Sequence, residues 1–481
     1  MSDQAIVLTT LVVYKLALVG IGLWASSRNR TESDFFLGGR GLGPWVAGLS
    51  YAASTSSAWV LIGFTGFVYV SGLSALWMVP GIWAGYVAVW LWFGPRLRAE
   101  AEAEGHITPT DFMAARSSGA SKAAIRGLSA LLIFFCFIFY IAAQFGAAGE
   151  AFEQQFGLGR VESIGVGAIV ILIYALLGGF WAVSVTDTLQ GAMMAVIAVA
   201  LPAAALIAAG GPAEVFATLR ETTPPDYMSP TGGIAPHLFL GFLVGVWGVG
   251  LGALGQPHLM ARLMAVKDEA SRRRGFAIAM GWGVIVFIGM STLALSGRAL
   301  AGGEVAREQL FYFMAGELFP PLLAGVIIAA VLSAVMSTVD SLLVATSAAV
   351  AHDMGVSRAL PGREVLISRI VMGALVAAAV VLVAIVPSSV FDRVLFSWAA
   401  LGAAFGPVIA ARVLGWEPRG YAIVAAMALG FATTVFFYIQ GQSGADTLFT
   451  QLARLPGDPF ERVFPWLPAL AVLFAFRRKA A

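Results

Sequence analysis

Apolar runs long enough to cross a bilayer recur along almost the whole of this chain, and no other feature constrains its fold so tightly. A helix needs roughly 20 mostly apolar residues to span the hydrocarbon core. Runs of about that length lie near 5–25, 44–71, 74–95, 124–148, 162–182, 187–209, 235–257, 275–297, 318–350, 365–386, 391–413, 419–439 and 460–476. The pattern predicts an all-α integral membrane protein of about thirteen transmembrane helices. Composition points the same way: 59% of the 481 residues are hydrophobic and 12% charged, and mean hydropathy is +0.85. Soluble domains carry about a quarter charged residues, and a compact globule has too little interior to bury so much apolar surface. A bilayer removes that difficulty by being an apolar solvent itself.

Basic residues give the topology, because loops rich in Lys and Arg stay cytoplasmic. With the N-terminus outside, the loops and tail assigned to the inside hold 21 of the 29 Lys and Arg, among them Arg28, Arg30, Arg40, Arg98, Arg262, Lys267, Arg358, Arg412 and Lys479. The outside loops hold six, Arg160, Arg220, Arg298, Arg307, Arg454 and Arg462, while Lys15 and Arg393 fall in or beside spans. An alternation this regular supports N-out, C-in placement in a cell (inner) membrane. Residues 1–481 read as a single transmembrane transporter domain, since the longest less apolar stretches, around 98–123 and 210–234, are too short to fold alone. No cleavable signal is expected in the first run, which lacks a preceding basic residue.

Several function classes drop out. The basic residues are scattered through short loops, so no nucleic-acid partner is expected. The lone Cys136 excludes an intrachain disulfide. No GxxxxGK[ST] segment is present, which argues against an ATP-driven pump. No nucleophile–base or metal constellation of an enzyme appears either. The partners left are the lipid bilayer and a small-molecule substrate; the sequence leaves oligomeric state open.

Within a bilayer, non-helical backbone is tolerated where it is buried in protein or lines a wet cavity, and paired broken helices point to a transporter's site. The second span is interrupted at Ala52-Ala53-Ser54-Thr55-Ser56-Ser57-Ala58. The seventh is interrupted at Gly245-Val246-Trp247-Gly248-Val249-Gly250-Leu251-Gly252-Ala253-Leu254-Gly255-Gln256-Pro257. Either stretch alone reads equally as close helix packing through small residues; at spans five apart, the pair reads better as a binding site. In the ninth span, Ser333, Ser337, Asp340 and Ser341 share one helical face. Hydroxyls and carbonyls with few full charges suit a dehydrated alkali cation, against the alternative of serines bonding back to their own helix. Asp187, Asp340 and Lys15 are the ionisable groups expected at membrane depth, each a functional candidate. His106, His237, His258 and His352 read as polar interface residues.

At these residues the chain resembles the sodium/solute symporter family. The likeness runs through Asp34 to Pro44, Ala53 to Trp59, Gly178-Gly179-Phe180 with Ser184 to Asp187, Gly255 to His258 with Ala261-Arg262, Ala334 to Thr338, and Gly402 to Pro407. The resemblance implies a LeuT-like fold of two inverted five-helix repeats with broken helices. These are spans 2–6 (about 44–209) and spans 7–11 (about 235–413), with span 1 and spans 12–13 (about 419–476) peripheral. It implies a sodium site built from the backbone of Ala53, Ser56 and Ala334 with the hydroxyls of Ser337 and Thr338. Asp187 matches an acid near a second cation position, to which the ninth-span spacing adds Asp340 and Ser341 as candidates. Trp59 and Tyr140 would face the solute, with Ser54, Thr55, Ser57, Gln144, Trp247, Val249 and Ala253 around them, and Arg40 would influence coupling. No cofactor is implied beyond the transported sodium ion.

The chain also departs from the family's proline-transporting members. Thr55 stands where those have an acid, Asp340 stands where they have serine, and Val249 and Ala253 replace aromatics. These changes predict a shift of negative charge toward the ninth span and a wider, less aromatic cavity. The expectation is therefore a sodium-coupled importer of a small organic solute, an amino acid (proline-like) or another small carboxylate, working by alternating access. Half-helix N-termini at the breaks would favour the carboxylate. A proton-coupled transporter of the same fold and a transporter-like membrane sensor are the rival readings.

Overall fold

The computed structural model describes residues 3–26, 32–175, 179–356, 363–386 and 389–478. Arg28, Arg30, Gly178, Arg358 and Lys479 lie outside the described residues, as does the side chain of Lys15. In chain order the helices are α1 (Asp3–Ser26), α2 (Glu32–Leu37), α3 (Pro44–Ala58), α4 (Thr65–Ser71), α5 (Met78–Val87), α6 (Gly94–Glu104) and α7 (Pro109–Ala114). There follow α8 (Gly119–Phe156), α9 (Arg160–Ala175), α10 (Phe180–Ala208), α11 (Pro212–Thr222), α12 (Pro236–Gly252), α13 (Pro257–Ala265) and α14 (Glu269–Ala301). The rest are α15 (Leu310–Leu318), α16 (Pro321–Ala348), α17 (Glu364–Ile385), α18 (Val390–Val413), α19 (Gly420–Gln442), α20 (Leu448–Ala453), α21 (Pro459–Arg462) and α22 (Trp466–Ala475).

Local chemistry sets many of these ends. Proline opens α3, α11, α12, α13 and α16 at the first turn, where its missing N–H costs nothing. Left-handed Gly105, Gly157 and Gly302 close α6, α8 and α14. Among the described residues nine helical stretches are long and apolar enough to cross a membrane, against the thirteen spans expected. The longest, Pro44–Glu104, covers two of the expected spans. It doubles back at Gly72 (φ +67°), so that Tyr51 packs edge-on against Tyr86 and Trp90.

Hydrogen bonds and ion pairs tie the loops together at two ends of the helices. At one end Arg40 donates to the His106 carbonyl at 2.7 Å, Arg98 to that of Val266 at 2.9 Å, and Arg412 pairs with Glu100. At the other, Trp77 donates to the Pro230 carbonyl at 2.9 Å, Arg307 pairs with Asp392 at 3.3 Å, and Gln309 reaches Glu150 at 3.3 Å.

Close packing depends on small residues at particular crossings. Pro202 inside α10 cannot donate the helical hydrogen bond to the carbonyl four residues earlier, that of Ala198. Gly289 of α14 covers this oxygen so closely that a Cβ there would lie 1.9 Å from it. Gly281, two turns away on the same helix, has nothing within 4 Å of such a Cβ. Gly289→Ala is therefore expected to destabilise by about 1–3 kcal/mol through overpacking. Gly281→Ala is expected to stabilise by about 0.5–1 kcal/mol through helix propensity. Thermal unfolding of the two purified variants checks the contrast.

Candidate cation and solute site

The serine-rich stretch of α3 breaks as expected, but at a single residue. Ser57 adopts φ +50°, ψ −170°, a conformation that costs a non-glycine residue about 1–3 kcal/mol and persists only when its surroundings hold it. Two side chains do so. The Ser57 hydroxyl accepts the Trp59 N–H at 3.0 Å, and Gln144 Oε1 accepts the Ala58 N–H at 3.1 Å. Thr55 turns its hydroxyl back to the Tyr51 carbonyl at 2.7 Å.

The second break is shorter than the glycine-rich stretch predicts. Helix α12 continues to Gly252, a 3-10 turn covers Ala253–Gly255, and Gln256 is extended (φ −85°, ψ 111°) before α13 begins. From Gly245 to Gly252 the close-packing reading holds. A Cβ at Gly250 would lie 2.1 Å from the Gly81 carbonyl oxygen, and one at Gly252 would lie 1.9 Å from Trp398. Trp247, expected at the solute, is 43% exposed and donates to the Trp77 carbonyl at 2.9 Å. Because α12 stays helical there, Trp247 points away from the break.

Just beyond that break, α13 carries Arg262 into the centre of the molecule. Its basic character and position predict a cytoplasmic loop, yet the Arg262 side chain is 1% exposed. Its Nη2 lies 2.7 Å from Asp187 Oδ2, 2.7 Å from Ser54 Oγ and 2.6 Å from Ser341 Oγ. Its Nε donates to Ser50 Oγ at 2.8 Å and its Nη1 to the His258 carbonyl at 2.7 Å. The Phe180 ring lies 5.8 Å from the guanidinium carbon. One guanidinium thus joins α3, α10, α13 and α16. A buried carboxylate at Asp187 demands a counter-charge, and that demand was the signal available in the sequence. Asp187 and Ser341 do meet at one cation position, but the cation there is Arg262. Asp340, though buried, is one residue and so about 100° around α16 from Ser341, and is not among the groups that contact Arg262.

Beside this hub, α3 and α16 pack together where the sodium site is expected. Ser54 Oγ donates to the Ser337 carbonyl at 3.4 Å. Ala53 and Ala334 are fully buried, and the Ser337 hydroxyl bonds back to the Ala334 carbonyl at 3.1 Å. The hydroxyls of Ser56 and Thr338 are buried with no hydrogen-bond partner among the described residues. Such groups are costly unless something polar completes them. At the far end of the same face, Ser333 instead meets Tyr14 of α1 at 2.6 Å.

A cavity of about 30 Å³ adjoins the α3 break, lined by Thr55, Ser56, Trp59, Val249 and Ala253 from the expected set. Tyr86, Phe287 and Trp398, which hydropathy alone did not single out, line it as well. Trp398 is fixed by donating to the Val249 carbonyl at 2.8 Å, and Trp59 stacks on Phe391 with ring centroids 5.9 Å apart. Tyr140 is buried behind this wall, its ring 6.4 Å from that of Trp398. The space holds one or two waters, so an organic solute needs the helices to part. Arg40 lies apart from both clusters and ties the end of α13 to the segment before α7 through the carbonyls of Met264 and His106.

Comparison with known proteins places this architecture. Residues 35–416 match the model of the sodium:solute symporter family. An osmoregulated proline transporter of Bacillus subtilis is 33% identical over 90% of this chain and 89% of its own length. The sodium/proline symporter of Salmonella typhimurium is 31% identical over 90% of this chain and 88% of its own. Among solved structures, a Na+-coupled sialic acid symporter in a substrate-bound outward-open state superposes with a TM-score of 0.77. It is 16% identical and covers 99% of both chains. A nucleobase-cation-symport-1 family transporter gives a TM-score of 0.51 at 12% identity, over 93% of this chain and 96% of its own. These likenesses to solved structures establish a LeuT-like fold. The chain belongs to the sodium:solute symporter family, and is a multi-pass membrane protein that moves a small solute together with sodium.

Proposed function

We propose that the chain imports proline or a closely similar small amino acid with one sodium ion per cycle. The observation that carries this reading is the pair of buried, unpartnered hydroxyls, Ser56 and Thr338, where the broken α3 crosses α16. With the Ser337 hydroxyl and the backbone of Ala53, Ser56 and Ala334, they supply oxygen dipoles that replace a cation's water without binding it too tightly to release. Asp187, Ser54 and Ser341 would otherwise offer a second cation position, but Arg262 holds it; this supports a single sodium. Solute docks between the α3 break and the 3-10 turn of α12. Trp59, Tyr86, Val249, Ala253 and Trp398 give apolar walls there, and Thr55 and Ser56 give hydroxyls. The proline transport named for two relatives at 31–33% identity favours this cargo.

The inverted repeats correspond to about 44–209 and 235–413, with the first span and the last two peripheral. The end bearing Arg40, Arg98 and Arg412 faces the cytoplasm, with the N-terminus outside, in the cell's inner membrane. Sodium binding favours the outward-facing state, solute follows, and the repeats rock to the inward-facing state, where sodium leaves. Each charge falling through 100 mV supplies about 2.3 kcal/mol, on the order of fifty-fold solute accumulation before the sodium gradient adds its share. The expected result is rapid proline uptake into proteoliposomes under an inward sodium gradient, competed by small amino acids. Equal uptake with potassium or choline in place of sodium would overturn the reading.

A further inference from the structure

A second cavity of about 30 Å³ has Arg262, Ser341 and His258 at one end and Thr108, Thr110 and Asp353 at the other. Apolar residues, including Phe36, Phe180, Val344 and Ala348, line it between. Helix α16 continues in a wider π turn, Ala349–Asp353. The two ends are twelve residues apart on it, on the order of 18 Å. The far end lies beside His106, whose carbonyl holds Arg40, at the end of the molecule where the basic loops gather.

The polar groups at that mouth are unequally satisfied. Asp111 closes a capping box on α7 with Thr108. Its carboxylate also accepts from Arg126 at 2.6 Å and the Ile107 N–H at 3.1 Å, and lies 2.8 Å from His352 Nε2. Burial alone would raise its pKa, but His352, Arg126 and the Ile107 N–H hold it well below the usual carboxylate range. Asp353 is different. It is 3% exposed, its Oδ1 accepts from the Thr108 hydroxyl at 2.6 Å, and its Oδ2 has no partner among the described residues. Asp111, His352 and Asp353 bring ligand atoms within 4.8 Å of one another. A divalent ion wants several free oxygens, and Asp111 is already engaged by Arg126, His352 and backbone. One open carboxylate oxygen beside threonine hydroxyls suits a single, weakly held monovalent cation.

We infer that Asp353, with Thr108 and Thr110, is an inner-mouth sodium site that receives the ion after it leaves the crossing of α3 and α16 and passes it to the cytoplasm. The inference rests on the inward direction proposed above. A carboxylate at the inner end of an apolar cavity lowers the cost of an ion's stay there once the helices part, so its loss slows exchange of sodium from that side alone. The test is proline uptake by right-side-out membrane vesicles, with sodium varied outside and preloaded inside.

In the wild type, internal sodium is expected to inhibit uptake. Asp353→Asn, which keeps the acceptor for Thr108, is expected to raise the internal sodium needed for half-inhibition about tenfold while the external half-saturating sodium moves less than twofold. Thr110→Val is expected to give the same one-sided shift, about threefold, and carries the test if the first variant fails to reach the membrane. No shift on either side, or equal shifts on both, would overturn the inference. Wild-type uptake indifferent to sodium on both sides would strike at sodium-driven proline import itself, and this site would fall with it.

Discussion

Arg262→Ala abolishes sodium-driven uptake and lowers the stability of the purified protein by about 3–5 kcal/mol, the cost of leaving a buried ion-pair partner unmatched. Asp187 is fully buried, and three hydroxyls beside it, on Ser50, Ser54 and Ser341, also point to the guanidinium. Removing the cation leaves a carboxylate that hydroxyls alone do not neutralise. The double variant Arg262→Ala with Asp187→Ala removes both charges and is expected to recover most of the lost stability, because replacing a whole buried pair costs far less than breaking it. Transport stays lost in the double variant if the pair positions the crossing of α3 and α16. Thermal unfolding and uptake on the four members of the cycle give the coupling directly. Additive losses of stability would mean that the two groups do not act as a pair.

Thr338→Val, which keeps the shape of the side chain and removes its hydroxyl, raises the half-saturating sodium concentration about tenfold to a hundredfold. One interaction between a neutral dipole and a charged group is worth roughly 1.5–3 kcal/mol, and each 1.4 kcal/mol is about tenfold in affinity. Stability changes little or improves, since the Thr338 hydroxyl is buried without a partner. That opposite sign separates a ligand from a structural group. Ser337→Ala is expected to shift sodium affinity in the same direction, and its hydroxyl already has the Ala334 carbonyl as a partner. Sodium titration of proline uptake at fixed ionic strength measures both variants.

Hydropathy and small polar residues made much of the site legible before any coordinates. The run from Ala52 to Ala58 marks the α3 break because serine and threonine hydroxyls offer backbone an alternative to the helix. Helical spacing alone brings Ser333, Ser337 and Ser341 to one face, whereas Thr338 comes from the family resemblance. The glycine-rich stretch of α12 was ambiguous for a physical reason: the same small residues serve close packing and unwinding, and only the partners, Gly81 and Trp398, decide between them. Trp247 faces away from the site because the helix continues where the glycine run predicts a break. The role of Arg262 is not legible from hydropathy, because an arginine near a loop reads as solvated. Its burial depends on Asp187, 75 residues away, meeting it in space. Tyr86 and Trp398 went unnoticed among many aromatics because their distinction is the cavity they share.

The central claim is that a single sodium ion held between α3 and α16 carries the solute inward. Counting radioactive sodium and proline entering the same proteoliposomes tests it most directly. One sodium is expected to enter with each proline, and both fluxes should fall together in Thr338→Val at low sodium. Proline entry that proceeds without sodium, or fluxes of both that Thr338→Val leaves unchanged at low sodium, would contradict it.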